Sequence, residues 1–84
     1  MTARCVADVP VGTVATLDEP AVDPLRRRRL AELGLRCGAE VHILARTAGG
    51  GRVIALADDR VAVDLGTARA LVVRVPADQD RVVS

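Results

Sequence analysis

The sequence predicts a mainly β domain, five short strands bent into a small barrel, with one α-helix inserted. Three observations carry this reading. Residues 23–44, DPLRRRRLAELGLRCGAEVHIL, read as one capped helix running into a strand. Around that segment, valine-rich stretches recur at hairpin spacing, punctuated by Pro, Gly and Asp. The chain contains no Phe, Tyr or Trp although half its residues are apolar. Its core must therefore be built from Val, Leu, Ile and Ala, which suits short strands of branched side chains.

Taken in order, residues 1–11 form an N-terminal segment in which Ala3, Val6 and Val9 line up along a short helical turn. The first strand follows Gly12 as GTVATL and is stopped at Asp18-Glu19-Pro20. Asp23 is a ready N-cap, and Pro24 suits the first helical position, where its missing N–H is no loss. Leu30 and Leu33 are spaced to share the buried face, and Gly34 ends the helix in the left-handed region so that Leu35 folds back. In residues 40–46, Val41 and Ile43 alternate with Glu40 and His42, the period of a half-buried strand. Thr47 to Gly51 is a glycine-rich hairpin loop into the strand at 52–57. Asp58-Asp59 forms a two-residue turn into Val61 and Val63, aspartate tolerating positive φ better than most residues. Residues 65–69 make one helical turn. Leu71, Val73 and Val75 form the fifth strand, which Pro76 ends.

This division gives an N-terminal segment at 1–11, a barrel at 12–75 and a loose tail at 76–84. Closing the sheet on itself would remove exposed edges, as in the SH3-like type of barrel. At 84 residues this is one small domain, burying only roughly 60–65% of its unfolded surface.

All twelve basic residues are arginine, and eleven acidic residues nearly cancel them. Such a chain has no strong long-range field, which argues against nucleic acid as the main ligand. No apolar run approaches the roughly 20 residues needed to span a bilayer. The opening MTARCVADVPVG lacks the apolar stretch of a secretory signal, and the expected location is the cytoplasm. Two cysteines, Cys5 and Cys37, are too few for a disulfide framework.

The segment R-L-x-x-L-G-L-x-x-G, carried by Arg29, Leu30, Leu33, Gly34, Leu35 and Gly38, resembles the FeoA family of small bacterial proteins associated with ferrous iron uptake. The glycine loop, the V-A-V of residues 61–63, Ala68 and Leu71-x-Val73 extend the resemblance over about residues 12–75. Cys37 stands where the family usually has proline. The resemblance implies an SH3-like barrel that acts in the cytoplasm on FeoB, the GTPase-bearing ferrous iron permease, as an accessory or regulatory protein. The same fold is similar to the C-terminal domain of iron-dependent repressors, which gives the alternative of a metal- or effector-sensing module. A third reading is a subunit that self-associates through an edge strand.

Arg26 to Arg29 are the most conspicuous run, but successive helical residues turn by about 100°, so the four cannot form one basic stripe. Arg28 can pair with Glu32 one turn on. The expected partner contacts are Arg27, Arg28 and Leu35, arginines beside an exposed aliphatic anchor. Cys37 and His42 are the only close pair of soft metal ligands, short of the four a closed zinc site needs. Asp58, Asp59 and Asp64 are hard ligands of a kind a ferrous ion accepts, though turn formation explains them as well. The glycine run lacks the following helix and lysine of a phosphate loop. No nucleophile, base and orienting group can be assembled, so no catalysis and no cofactor are expected. Without aromatic residues, neither a polyproline groove nor a base-stacking platform can be built.

Overall fold

The computed structural model describes residues 2–76. Six strands form one sheet, all neighbours antiparallel: β1 (Thr2–Cys5), β2 (Val14–Leu17), β3 (Glu40–Arg46), β4 (Arg52–Ala55), β5 (Arg60–Val63) and β6 (Val72–Val75). Their order is β1-β6-β2-β3-β4-β5. The sheet curls into a barrel-like shape without closing, since β1 and β5 remain its two edges. The main helix α1 (Pro24–Glu32) lies between β2 and β3, and the short α2 (Leu65–Ala70) between β5 and β6.

The sixth strand is the main addition to the sequence reading. Thr2–Cys5 is strand rather than helix, paired along β6 from Thr2–Val75 to Cys5–Val72. Its side chains carry too little alternation to announce this, because an edge strand is set by the neighbour that offers free backbone groups. Only Val6–Asp8 turns, as a single 3-10 turn. The tail expected beyond Pro76 lies outside the described residues.

The core is aliphatic throughout. Leu17, Leu35, Ile43, Ile54 and Leu71 are its largest fully buried side chains, with Val6, Val41, Val73 and Val75 around them. Each such side chain stabilises the fold by roughly 1.5–3 kcal/mol relative to exposure. In β3 the burial alternates through Val41 and Ile43. Leu44 keeps to that alternation as an exposed position, and the register shift between Ile43 and Ala45 then breaks it, leaving Ala45 exposed as well.

Helix α1 begins as its sequence dictates: the Asp23 carboxylate accepts the Arg26 N–H at 2.9 Å, and Pro24 occupies the first turn. It ends in a Schellman motif, with Leu35 N–H donating to Leu30 O at 2.8 Å and Gly34 N–H to Ala31 O at 2.9 Å. Gly34 takes φ +96° there. This reversal carries Leu35 beside Leu30 into the core and leaves Leu33 outside, 52% exposed. Helical spacing alone put Leu33 on the buried face; the cap moves the apolar position two residues on. Helix α1 thus contributes only Leu30 to the core.

Candidate functional site

The outer face of the β3–β4 ladder carries the main groove of the described residues. His42 pairs with Ala55 across the two strands, and His42 points away from the core because Val41 and Ile43 point into it. The end of α1 makes one wall with Glu32, Leu33 and Gly34, and the β4–β5 turn makes the other with Leu56, Ala57, Asp58 and Asp59. Arg36, Ala39 and Glu40 complete the lining. The groove has a volume of about 760 Å³ and is open to solvent. Leu33 and Leu56 give it apolar walls, while the carboxylates of Glu32, Glu40, Asp58 and Asp59 outnumber its one arginine.

Local chemistry fixes both walls. Gly34 is required for the left-handed turn at φ +96°, and the two walls approach closely there: a Cβ on it would stand 2.8 Å from Leu56 Cδ1, the mobile end of that side chain. The β4–β5 turn is set by Leu56 N–H donating to Asp59 O at 2.8 Å, which places Ala57 and Asp58 at its tip. That is one residue earlier than the Asp58-Asp59 turn the sequence suggests. No described non-glycine residue has positive φ, so the turn does not use aspartate's tolerance for it. Asp58 and Asp59 are exposed and line the groove.

The residues singled out in the sequence separate in the structure. Leu35 is fully buried and cannot be a partner contact; Leu33 occupies the exposed position instead. Arg27 is held by Glu19 at 3.3 Å and by the Val22 carbonyl at 3.3 Å. Arg28 is exposed and, among the described residues, pairs with nothing; the Arg28–Glu32 pair does not form. Arg26 reaches Thr67 Oγ1 at 3.4 Å. Cys37 is an exposed free thiol, and His42 Nε2 lies 3.3 Å from Glu40 Oε1. Asp64 is apart from Asp58 and Asp59, capping α2 by accepting the Thr67 N–H at 2.7 Å. That bond holds its carboxyl below the ordinary value. Among the described residues, no three His, Cys, Asp or Glu side chains gather closely enough to hold a metal ion.

Sequence reasoning missed Arg52. It is only 4% exposed, and its guanidinium donates to the carbonyls of Gly50, of Gly51 at 3.0 Å and of Ala7 at 2.8 Å. Its Nε is buried without a partner. In sequence it looks like one more surface arginine at the start of a strand. Its clue is position, directly after a glycine loop whose turned-in carbonyls need donors.

Together these features define a small SH3-like domain that carries an open, acid-rimmed groove. Residues 5–75 match the FeoA domain model, and the chain belongs to the FeoA family. Among solved structures it is similar to FeoA of Stenotrophomonas maltophilia complexed with zinc, at 26% identity and TM-score 0.66 over 89% of this chain and 92% of that one. It is also similar to the FeoA protein of Chlorobium tepidum, at 24% identity and TM-score 0.78 over 87% and 70% of the two chains. A manganese-dependent transcriptional repressor aligns at 25% identity and TM-score 0.78, over 88% of this chain but only 42% of the repressor. No curated protein matches the chain. No described helix is long and apolar enough to cross a membrane.

Proposed function

We propose that the chain is an accessory protein of ferrous iron uptake that binds rather than catalyses, its groove docking on the cytosolic, GTPase-bearing part of a FeoB-type permease. Family membership supports the iron-uptake role. The observation that carries the docking site is Leu33, a large side chain 52% exposed on the wall of a groove whose opposite wall is also leucine. An apolar anchor ringed by charge is the usual anatomy of a protein contact. The test is co-purification with the permease's cytosolic domain at moderate salt. Association should be lost in Leu33→Glu while the fold is kept. No association with the native chain, together with normal iron uptake in a deletion strain, would remove the proposal.

A second reading, a metal-sensing module, is favoured by the likeness to the manganese-dependent repressor. Titrating a divalent ion while following amide shifts separates the two. Sensing requires a saturable, stoichiometric shift near Glu40, His42, Asp58 or Cys37.

A further inference from the structure

The chain carries a second unpartnered apolar side chain at the opposite end of α1. Leu25 is 59% exposed, and Arg28 and Arg29 lie three and four residues on, on the same helical face. Neither arginine has a partner among the described residues, whereas Arg26 and Arg27 are engaged by Thr67 and Glu19. The groove presents the complement: apolar Leu33 and Leu56, with Glu32, Asp58 and Asp59 unpaired among the described residues.

We propose that the groove of one copy receives the α1 entry of a second copy, Leu25 seated between Leu33 and Leu56, with Arg28 and Arg29 meeting the carboxylates of the rim. A single pairing then accounts for both exposed leucines of α1 and for the unmatched charges of both signs. A formal net charge of +1 gives two copies little to repel them. The pairing cannot occur within one chain, because eight residues of helix hold Leu25 about 12 Å from Leu33. The two patches differ, so the contact is head-to-tail, and each added copy keeps one free end. It is small and charge-assisted, hence weak and salt-sensitive. It uses the groove assigned above to the permease but does not require that assignment, and self-docking would compete with any other occupant.

Sedimentation of three chains tests this: the native protein, Arg28→Glu with Arg29→Glu, and Asp58→Lys with Asp59→Lys. All four positions are exposed, and circular dichroism verifies that the variants fold. The mass of the native protein should rise with concentration at low salt and return to monomer at high salt. Each double variant should stay monomeric. An equimolar mixture of the two should associate again, since every contact between unlike variants brings opposite charges together: the unchanged arginines meet the unchanged carboxylates, and the reversed entry meets the reversed rim. A native protein monomeric at every concentration, a mixture that does not pair, or association indifferent to both changes would overturn the proposal. Loss of permease-domain binding in the groove variant, with the native chain monomeric, overturns self-docking and leaves the accessory role standing. Self-association without permease binding does the reverse.

Discussion

Arg52 Nη2 donates to the Ala7 carbonyl at 2.8 Å across 45 residues of sequence, tying the turn after β1 to the loop between β3 and β4. The same guanidinium serves Gly50 and Gly51, so one side chain holds together two irregular segments. Arginine does not deprotonate in proteins, so this is a buried charge held by carbonyl dipoles at Nη1 and Nη2 while its Nε stays unpartnered.

Replacement of Arg52 should therefore be costly in a graded way. Arg52→Met removes the charge but strands the Ala7 and Gly50 carbonyls, with an expected loss of about 1–3 kcal/mol. Arg52→Lys keeps a buried charge without the fork geometry and should lose more, about 3–5 kcal/mol. Urea denaturation measures both, and a lysine variant more stable than the methionine variant would contradict the charge argument. Amide exchange at Val6 to Asp8 should accelerate in either.

The hairpin glycines should respond in opposite directions. A Cβ at Gly51 would collide with the Val63 carbonyl and stand 2.8 Å from Thr47 Oγ1, so Gly51→Ala should destabilise by more than about 2 kcal/mol through strand separation. Gly49 meets nothing within 4 Å and has no positive φ. Gly49→Ala should leave stability unchanged or raise it by about 0.4–1 kcal/mol. Thermal melts of the pair decide the matter.

Leu33 and Leu35 should separate binding from folding. Leu35→Ala opens a cavity in the core and should lose about 2–5 kcal/mol. Leu33→Ala, at a half-exposed site, should stay within about 0.5 kcal/mol of the native chain while weakening partner association. Denaturation and pull-down on the same two variants check this, and equal stability losses would refute the cap geometry.

Acid should destabilise the fold partly through Asp64 and Asp18. Both carboxyls are held below the ordinary 3.8, Asp64 first by the Thr67 N–H and Asp18 first by the Glu19 N–H with help from Arg74. The unfolded chain then binds more protons than the folded one around this pH, so stability rises with pH through that window. The contribution is complete above the unfolded value and is lost as pH falls through the lower folded values. Asp64→Asn keeps a capping side chain but has no proton to exchange. Its melting temperature should depend less steeply on pH below the ordinary carboxylate range and match the native chain more closely in acid than at neutrality.

The features legible in the sequence are those decided by neighbours along the chain. Asp23, Pro24 and Gly34 specify both ends of α1 without reference to the rest of the molecule, and Val41 and Ile43 announce β3 by period alone. Leu33 and Leu35 exchange places because a capping reversal overrides helical spacing within two residues. Arg52 and the groove were hidden for a different reason: Ala7 meets Arg52, and Leu56 and Asp58 come to face the end of α1, only after the sheet has formed. Strand β1 depends likewise on β6, which lies almost the whole chain away.

Strand β6 is threaded between β1 and β2, the first two strands made. During synthesis β1 has nothing to pair with until residue 75 has left the ribosome, so the chain must wait in a partly assembled state with its opening strand loose. A tag or neighbouring domain joined downstream therefore needs enough slack for Val75 to enter the sheet between β1 and β2, whereas one joined upstream meets only an edge.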